Sequence, residues 1–281
     1  MTKLILVEGL PGSGKTTTAV FVADWLTRQG VETAVFLEGN LNHPADFESV
    51  ACLDAPELTA LKTQFPEYID FLDRQVLVDG DDHFFRYRAL QQTIPTLPEA
   101  LIAALARYEI YELPADKFRR ILLRRWQRFA DSAAASTVTY IFECTFLQNP
   151  LTMMLGRHDE SVTAAQAFVL ELAASVQPLQ PRWLYLDPGN VRDCLTQAAQ
   201  TRPPEWLDYV IAYHTRQGHG KAQGWQGFDG MVNFYEMRHA IELGLLPQLP
   251  FSGLLVQHTT WLEDQKKIAE FLDQTFSSQI P

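Results

Sequence analysis

Residues Gly9-Leu10-Pro11-Gly12-Ser13-Gly14-Lys15-Thr16 match the pattern G-x-x-x-x-G-K-T, and a second threonine, Thr17, follows. Each residue type has a physical use. Glycines at 9, 12 and 14 allow backbone conformations that a side chain forbids, so the chain can wrap closely around an anion. The N–H groups of Gly12 through Thr16 then converge where a helix begins, and the helix dipole adds to them. Lys15 offers a point charge to the β- and γ-phosphates of ATP, and the Thr16 hydroxyl offers an oxygen to Mg²⁺. The candidate nucleotide-binding residues are therefore Gly9, Leu10, Pro11, Gly12, Ser13, Gly14, Lys15, Thr16 and Thr17. A turn that merely caps a helix has no need of Lys followed by Thr.

The flanking sequence supplies the context such a turn requires. Leu4-Ile5-Leu6-Val7 is a continuous apolar run, as expected of a strand buried on both faces of a parallel sheet. From Thr16 to Arg28, apolar Ala19, Val20, Ala23 and Leu26 recur at helical spacing, and Gly30 is placed to end the helix. Further strands are expected at residues 33–37, 138–142, 182–186 and 253–256, with helical patterns between them and a closing helix from Trp261 to Phe276. The fold class is α/β: a three-layer arrangement around a five-stranded parallel sheet with right-handed crossovers.

Two connections are longer than a crossover needs. Residues 40–137 contain helical stretches at Pro56–Phe65, Asp82–Gln92, Pro98–Tyr108 and Ala115–Ala134, and read as a helical insertion over the substrate end of the sheet. Residues 188–230 contain Gly218, Gly220, Gly224, Gly227 and Gly230, a composition that favours a mobile loop or lid over regular structure. One domain over residues 1–281, carrying both excursions, accounts for the length.

A strand ending in this glycine turn, a helical excursion after strand two and an arginine-bearing segment after strand four resemble the nucleoside and nucleotide kinases of the P-loop NTPase superfamily. The likeness is specific over residues 3–30 and architectural elsewhere. It implies a P-loop fold with an acceptor-binding region and a lid, and two acids at strand ends. Glu38 after strand two would take or orient the proton of an attacking hydroxyl. Glu143 after strand three would hold Mg²⁺ through water or touch the acceptor. Where that family usually has Asp-Arg or Glu-Arg, this chain has Glu143-Cys144.

Phosphoryl transfer depends on charge neutralisation, so the cations after strand four (Arg192, Arg202, Arg216 and Lys221) are candidates. Arg202 stands before Pro203-Pro204, at a hinge-like helix break, and together with Arg192 is preferred. Asp81 and Asp82 read either as N-caps or as acceptor ligands beside Phe84 and Phe85. Arg119, Arg120, Arg124, Arg125 and Arg128 read as the solvated face of an amphipathic helix, with one of them reaching a phosphate as the alternative. His214 and His219 lack metal-ligand spacing, leaving nucleotide-bound Mg²⁺ as the expected metal.

Lys plus Arg total 23 and Asp plus Glu 34, a net charge of −11 that argues against a nucleic-acid surface. Three dispersed cysteines suggest neither a disulfide framework nor a zinc cluster. Met1–Val7 has no signal-peptide pattern and no uninterrupted apolar stretch is long enough for a membrane helix, so a cytoplasmic protein without membrane contact is expected. The function expected is ATP- and Mg²⁺-dependent phosphotransfer to a small-molecule acceptor such as a nucleoside, nucleotide or other hydroxyl metabolite. The alternative is a nucleotide-dependent ATPase or switch acting on a protein partner. Neither the Asn-Lys-x-Asp guanine-reading segment nor a tandem Asp-Glu closing an apolar strand is present to favour it. Oligomeric state leaves no trace in the sequence.

Overall fold

The computed structural model describes residues 2–257 and 259–277. Eight strands run along the described chain: β1 (Leu4–Gly9), β2 (Thr33–Phe36), β3 (Ala51–Leu53), β4 (Leu77–Asp79), β5 (Asp82–Phe85), β6 (Thr139–Glu143), β7 (Arg182–Asp187) and β8 (Gly253–Gln257). Five form an all-parallel sheet in the order β2-β6-β1-β7-β8, and the other three an antiparallel sheet in the order β3-β5-β4. The chain divides into two compact units, Met1–Glu38 with Leu123–Pro281, and Gly39–Leu122.

In the first unit, β1 lies at the centre and is buried along its whole length. Its side chains alternate between faces. Ile5 and Val7 pack with Val22 and Leu26 of the helix Lys15–Arg28 and with Ile268 and Leu272 of the helix Trp261–Phe276. On the opposite face Phe142 of β6 meets Trp126 and Phe129 of the helix Ala115–Ala134, at ring-centroid distances of 5.8 Å and 4.8 Å. The helix Val162–Val176 and the turn after it are apolar and long enough by composition to cross a membrane. Phe168, Val169, Leu172 and Val176 are buried in the fold, which is the pattern of a core helix. All five strand positions expected from apolar runs are present. The register pairs Val7 with Glu143, Phe36 with Phe142 and Gly9 with Leu186, so the carboxyl ends of β1, β2, β6 and β7 lie abreast.

The glycine-rich segment corrects the expectation of irregular structure. Helices occupy Val191–Thr201, Pro204–Thr215, Gly218–Ala222 and Gly227–Leu245. Gly220 shows why composition misled. A Cβ there would lie 1.8 Å from the carbonyl oxygen of His214, so this glycine permits two backbones to touch within a packed helical region.

The second unit also departs from expectation, because it is not purely helical. The stretch Asp82–Gln92 begins as β5 and turns helical only at Tyr87–Thr93. β4 and β5 form a hairpin across the two-residue turn Gly80-Asp81, with Gly80 at φ 62°. Asp82 is no N-cap: it is buried in the strand, and its carboxylate takes hydrogen bonds of 2.7 Å and 3.2 Å from the Arg120 guanidinium. The helix Ala55–Gln64 follows the local rules, with Pro56 in its first turn and a reciprocal capping box between Asp54 and Glu57.

His214 is buried in the first unit, stacked on Phe234 at 4.2 Å, with Nε2 3.2 Å from the Tyr235 hydroxyl. Burial, helped by the Arg238 charge, pushes its pKa down from 6.5 to about 3. An unfolded chain therefore takes up this proton first on acidification. The stability associated with the neutral imidazole is full above about pH 6.5 and is lost as the pH falls toward 3. A His214→Gln variant, followed by thermal unfolding at a series of pH values, is expected to lose less stability than the wild type across that window.

Candidate functional site

The residues quoted at the outset form the link between β1 and the helix Lys15–Arg28. The Ser13 N–H donates to the Leu10 carbonyl at 3.1 Å and closes a tight turn. Gly12 and Gly14 take φ values of 88° and 92°, in the region an L side chain rarely enters. Gly14 is the N-cap and provides no side-chain bond, and no acid lies in the first turn. The first amides of this 14-residue helix therefore have no side-chain cap, the condition under which a helix start can take an anion. Lys15 is buried, and its Nζ donates back across the turn to the Leu10 carbonyl at 2.8 Å, using one of three donors. The helix Val191–Thr201 supports the turn from behind: the Cys194 thiol donates to the Pro11 carbonyl at 3.4 Å. A Cβ on Gly12 would come within 3.0 Å of the Ala198 Cβ.

Both strand-end acids lie beside this turn. The Thr16 hydroxyl donates to Glu143 Oε1 at 2.6 Å, and the Glu38 backbone N–H donates to Glu143 Oε2 at 3.2 Å. Gln148 Nε2 donates to Glu38 Oε1 at 2.9 Å. One ligand atom each from Glu38, Glu143 and Cys144 lies within 4.8 Å of the others. Cys144 has a left-handed backbone, φ 69°, and burial pushes its thiol well above the ordinary range, so it stays protonated. The usable donors here are oxygens, which suit a hard divalent cation such as Mg²⁺ and not a soft one.

Sequence reading missed Glu8, whereas Gln148 belongs to the stretch Thr145–Pro150, whose polar groups are expected to line the same edge. Glu8 is the last side chain before Gly9 and is almost fully buried. Its carboxylate accepts the Phe146 N–H at 2.8 Å and the Gln148 N–H at 3.1 Å. Burial outweighs these two bonds and pushes its pKa from 4.5 up to about 7. A signal was available: a carboxylate ending a run of four buried aliphatic residues is costly unless it is hydrogen-bonded.

The lid cations separate. Arg192 pairs with Asp229 at 2.7 Å, both side chains being largely exposed. Arg202 sits over the Trp206 ring at 4.4 Å, and its charge, like that of Glu38, is felt at the buried Tyr235 hydroxyl. Arg216 and Lys221 line a different groove, of about 490 Å³, with Trp225. A buried guanidinium that sequence reading did not single out, Arg238, lies 3.0 Å from Glu242 and donates to the Thr152 hydroxyl at 2.9 Å. Glu242 in turn accepts the Tyr185 hydroxyl at 2.6 Å.

No family model and no curated protein matches the chain. Among solved structures it is similar to an unliganded sugar kinase from Janibacter sp. HTCC2649, at 17% identity over 97% of this chain and 95% of that one, with a TM-score of 0.36. It is also similar to TT1252 from Thermus thermophilus, at 14% identity over 100% and 99% of the two chains, with a TM-score of 0.33. At these values the function has to be read from the chain's own residues.

The two turn glycines are expected to respond differently to alanine. Gly14→Ala meets open space and costs only the left-handed backbone, about 1–2 kcal/mol. Gly12→Ala adds the collision with Ala198 and is expected to cost about 1–3 kcal/mol beyond that. Urea unfolding midpoints of the two variants at constant m-value provide the comparison.

Proposed function

We propose that this chain is an ATP- and Mg²⁺-dependent phosphotransferase of the P-loop kinase type, acting on a small-molecule acceptor that carries a hydroxyl or phosphate group. The observation that carries the reading is the hydrogen-bonded series Thr16–Glu143–Glu38, which sets a hydroxyl and two carboxylates beside an uncapped, glycine-built helix start.

In this reading the amides of residues 12–16 and the Lys15 ammonium hold the β- and γ-phosphates. Thr16 and Glu143 are the residues that would hold Mg²⁺, which when bound neutralises phosphate charge. Glu38 orients the acceptor hydroxyl and receives its proton, with the Gln148 amide steadying one carboxylate oxygen. In this reading Arg202 supplies the cation that meets charge on the transferring phosphoryl group; in support, its charge and that of Glu38 both act on the buried Tyr235 hydroxyl. Arg192 spends one guanidinium bond on the exposed Asp229 and keeps its other donors for phosphate. A protein of net charge −11 can bind a polyphosphate in this way, because backbone amides and one lysine create a local positive field.

Lys15→Ala is expected to abolish ATP turnover while leaving the unfolding transition in place; unchanged turnover would remove the basis for the proposal. Glu38→Gln is expected to lower phosphoryl transfer by about 10²-fold or more with little change in ATP affinity. Incubating protein and MgATP with pooled metabolites, then searching by mass spectrometry for a product heavier by one phosphoryl group, identifies the acceptor. ADP formation only in the presence of a macromolecular partner would point to a switch instead.

A further inference from the structure

We infer that Glu8 is the positioning residue of this site: its carboxylate fixes the turn after β6 so that Gln148 and Glu38 are held in register with the glycine turn. The inference rests on the phosphotransfer reading and adds a residue to it.

A closed circuit of bonds carries the inference. Glu8 directly precedes Gly9, so it shares a backbone with the phosphate-facing turn. Its two oxygens accept the N–H groups of Phe146 and Gln148. The Gln148 side chain then donates to Glu38, the Glu38 N–H to Glu143, and Thr16, one residue past Lys15, to Glu143. The circuit leaves the glycine turn at one end and returns to it at the other. One span of it, Cys144–Leu147, lies outside helix and strand. That segment holds a left-handed cysteine, and Leu147 caps the helix Gln148–Leu151 with no side-chain bond. A short helix entered through a strained turn does not hold its own first amides; Glu8 satisfies that of Gln148 and, ahead of the helix, that of Phe146.

Burial argues that Glu8 does more than fill the core. The four strand residues before it are aliphatic and completely buried, so an aliphatic residue here would cost less than a carboxylate. Around it lie Glu242 and Arg238 from the helix Gly227–Leu245, Tyr185 from β7 and the protonated Cys144. The single guanidinium faces two carboxylates, and the backbone amides supply the rest of the stabilisation.

Glu8→Gln tests the inference in the full-length protein. The carboxamide keeps the shape, but its NH₂ faces a backbone donor, so only one of the two bonds can survive. Four quantities are compared with wild type: thermal midpoint, affinity for the non-hydrolysable analogue AMP-PNP with Mg²⁺, amide exchange over residues 143–149 by mass spectrometry, and ADP formation from MgATP with water as acceptor. The expected result is faster exchange in that peptide, by about tenfold, and a kcat lower by about tenfold, with AMP-PNP affinity and KM for MgATP within about twofold. Gln148→Ala is expected to lower kcat similarly while keeping slow exchange at the amides Glu8 holds. Unchanged exchange in Glu8→Gln overturns the inference, and so does faster exchange with unchanged kcat. Wild-type protein that neither binds AMP-PNP nor forms ADP overturns phosphotransfer itself; the exchange result then separately decides whether Glu8 holds the turn. If Glu8→Gln does not fold, Glu8→Asp, one methylene shorter, is read by the same measurements.

Discussion

The bridge formed by Glu143 is the constraint on which the site depends. One carboxylate oxygen accepts the Thr16 hydroxyl and the other accepts the Glu38 backbone N–H, at 2.6 Å and 3.2 Å. These bonds tie the start of the helix Lys15–Arg28 to the chain leaving β2, with the end of β6 between them. A parallel sheet brings its strand ends to one edge but leaves the loops beyond them to find their own partners. Here a single side chain sets the relative position of the turn and the acid that follows β2. The charge-assisted bond from Thr16 is short, as expected for a hydroxyl donating to a carboxylate.

The same edge is supported from behind. Glu8 and Glu143 leave adjacent strands, and both accept backbone N–H groups from neighbouring connections. Glu8 is buried with Glu242, Arg238 and Tyr185, a polar cluster inside an otherwise aliphatic and aromatic interior. Such groups cost free energy when left unpaired and confer positional precision when paired. The helix Val191–Thr201 contributes sterically, pressing Ala198 toward Gly12. Turn, acids and supporting helix thus form one assembly in which moving any part strains the others.

Legibility in the sequence followed the range of the interactions. The inner strands of the parallel sheet are readable because strands buried on both faces must be continuously apolar, and the half-buried edge strands β2 and β8 are readable from shorter apolar runs. The positions of Glu38 and Glu143 were readable because each directly follows such a run. The sequence does not announce the hairpin, although Gly80-Asp81 is a hairpin turn signal: Asp81 and Asp82 read as caps or acceptor ligands, while Asp82 instead enters the strand to meet Arg120. The glycines after residue 217 were read as mobility, whereas Gly220 is small because the His214 carbonyl occupies the space a side chain would need. In each case local composition was right about which residues are unusual and wrong about why, since the cause lay in a contact distant in sequence or hidden in packing.

By itself, the sequence determined what depends on neighbouring residues: the glycine turn, the helix it opens, the apolar strands and the acids at their ends. These follow from backbone preference and periodicity, which act over a few residues. Only the tertiary structure decided that Thr16 bonds Glu143 across 127 residues and that Glu8 bonds the Gln148 amide across 140. It also set Arg202 over the Trp206 ring and paired Arg192 with Asp229 at the surface. Those outcomes depend on strand register and helix packing. A shift of one residue in either would turn the same side chains to other faces.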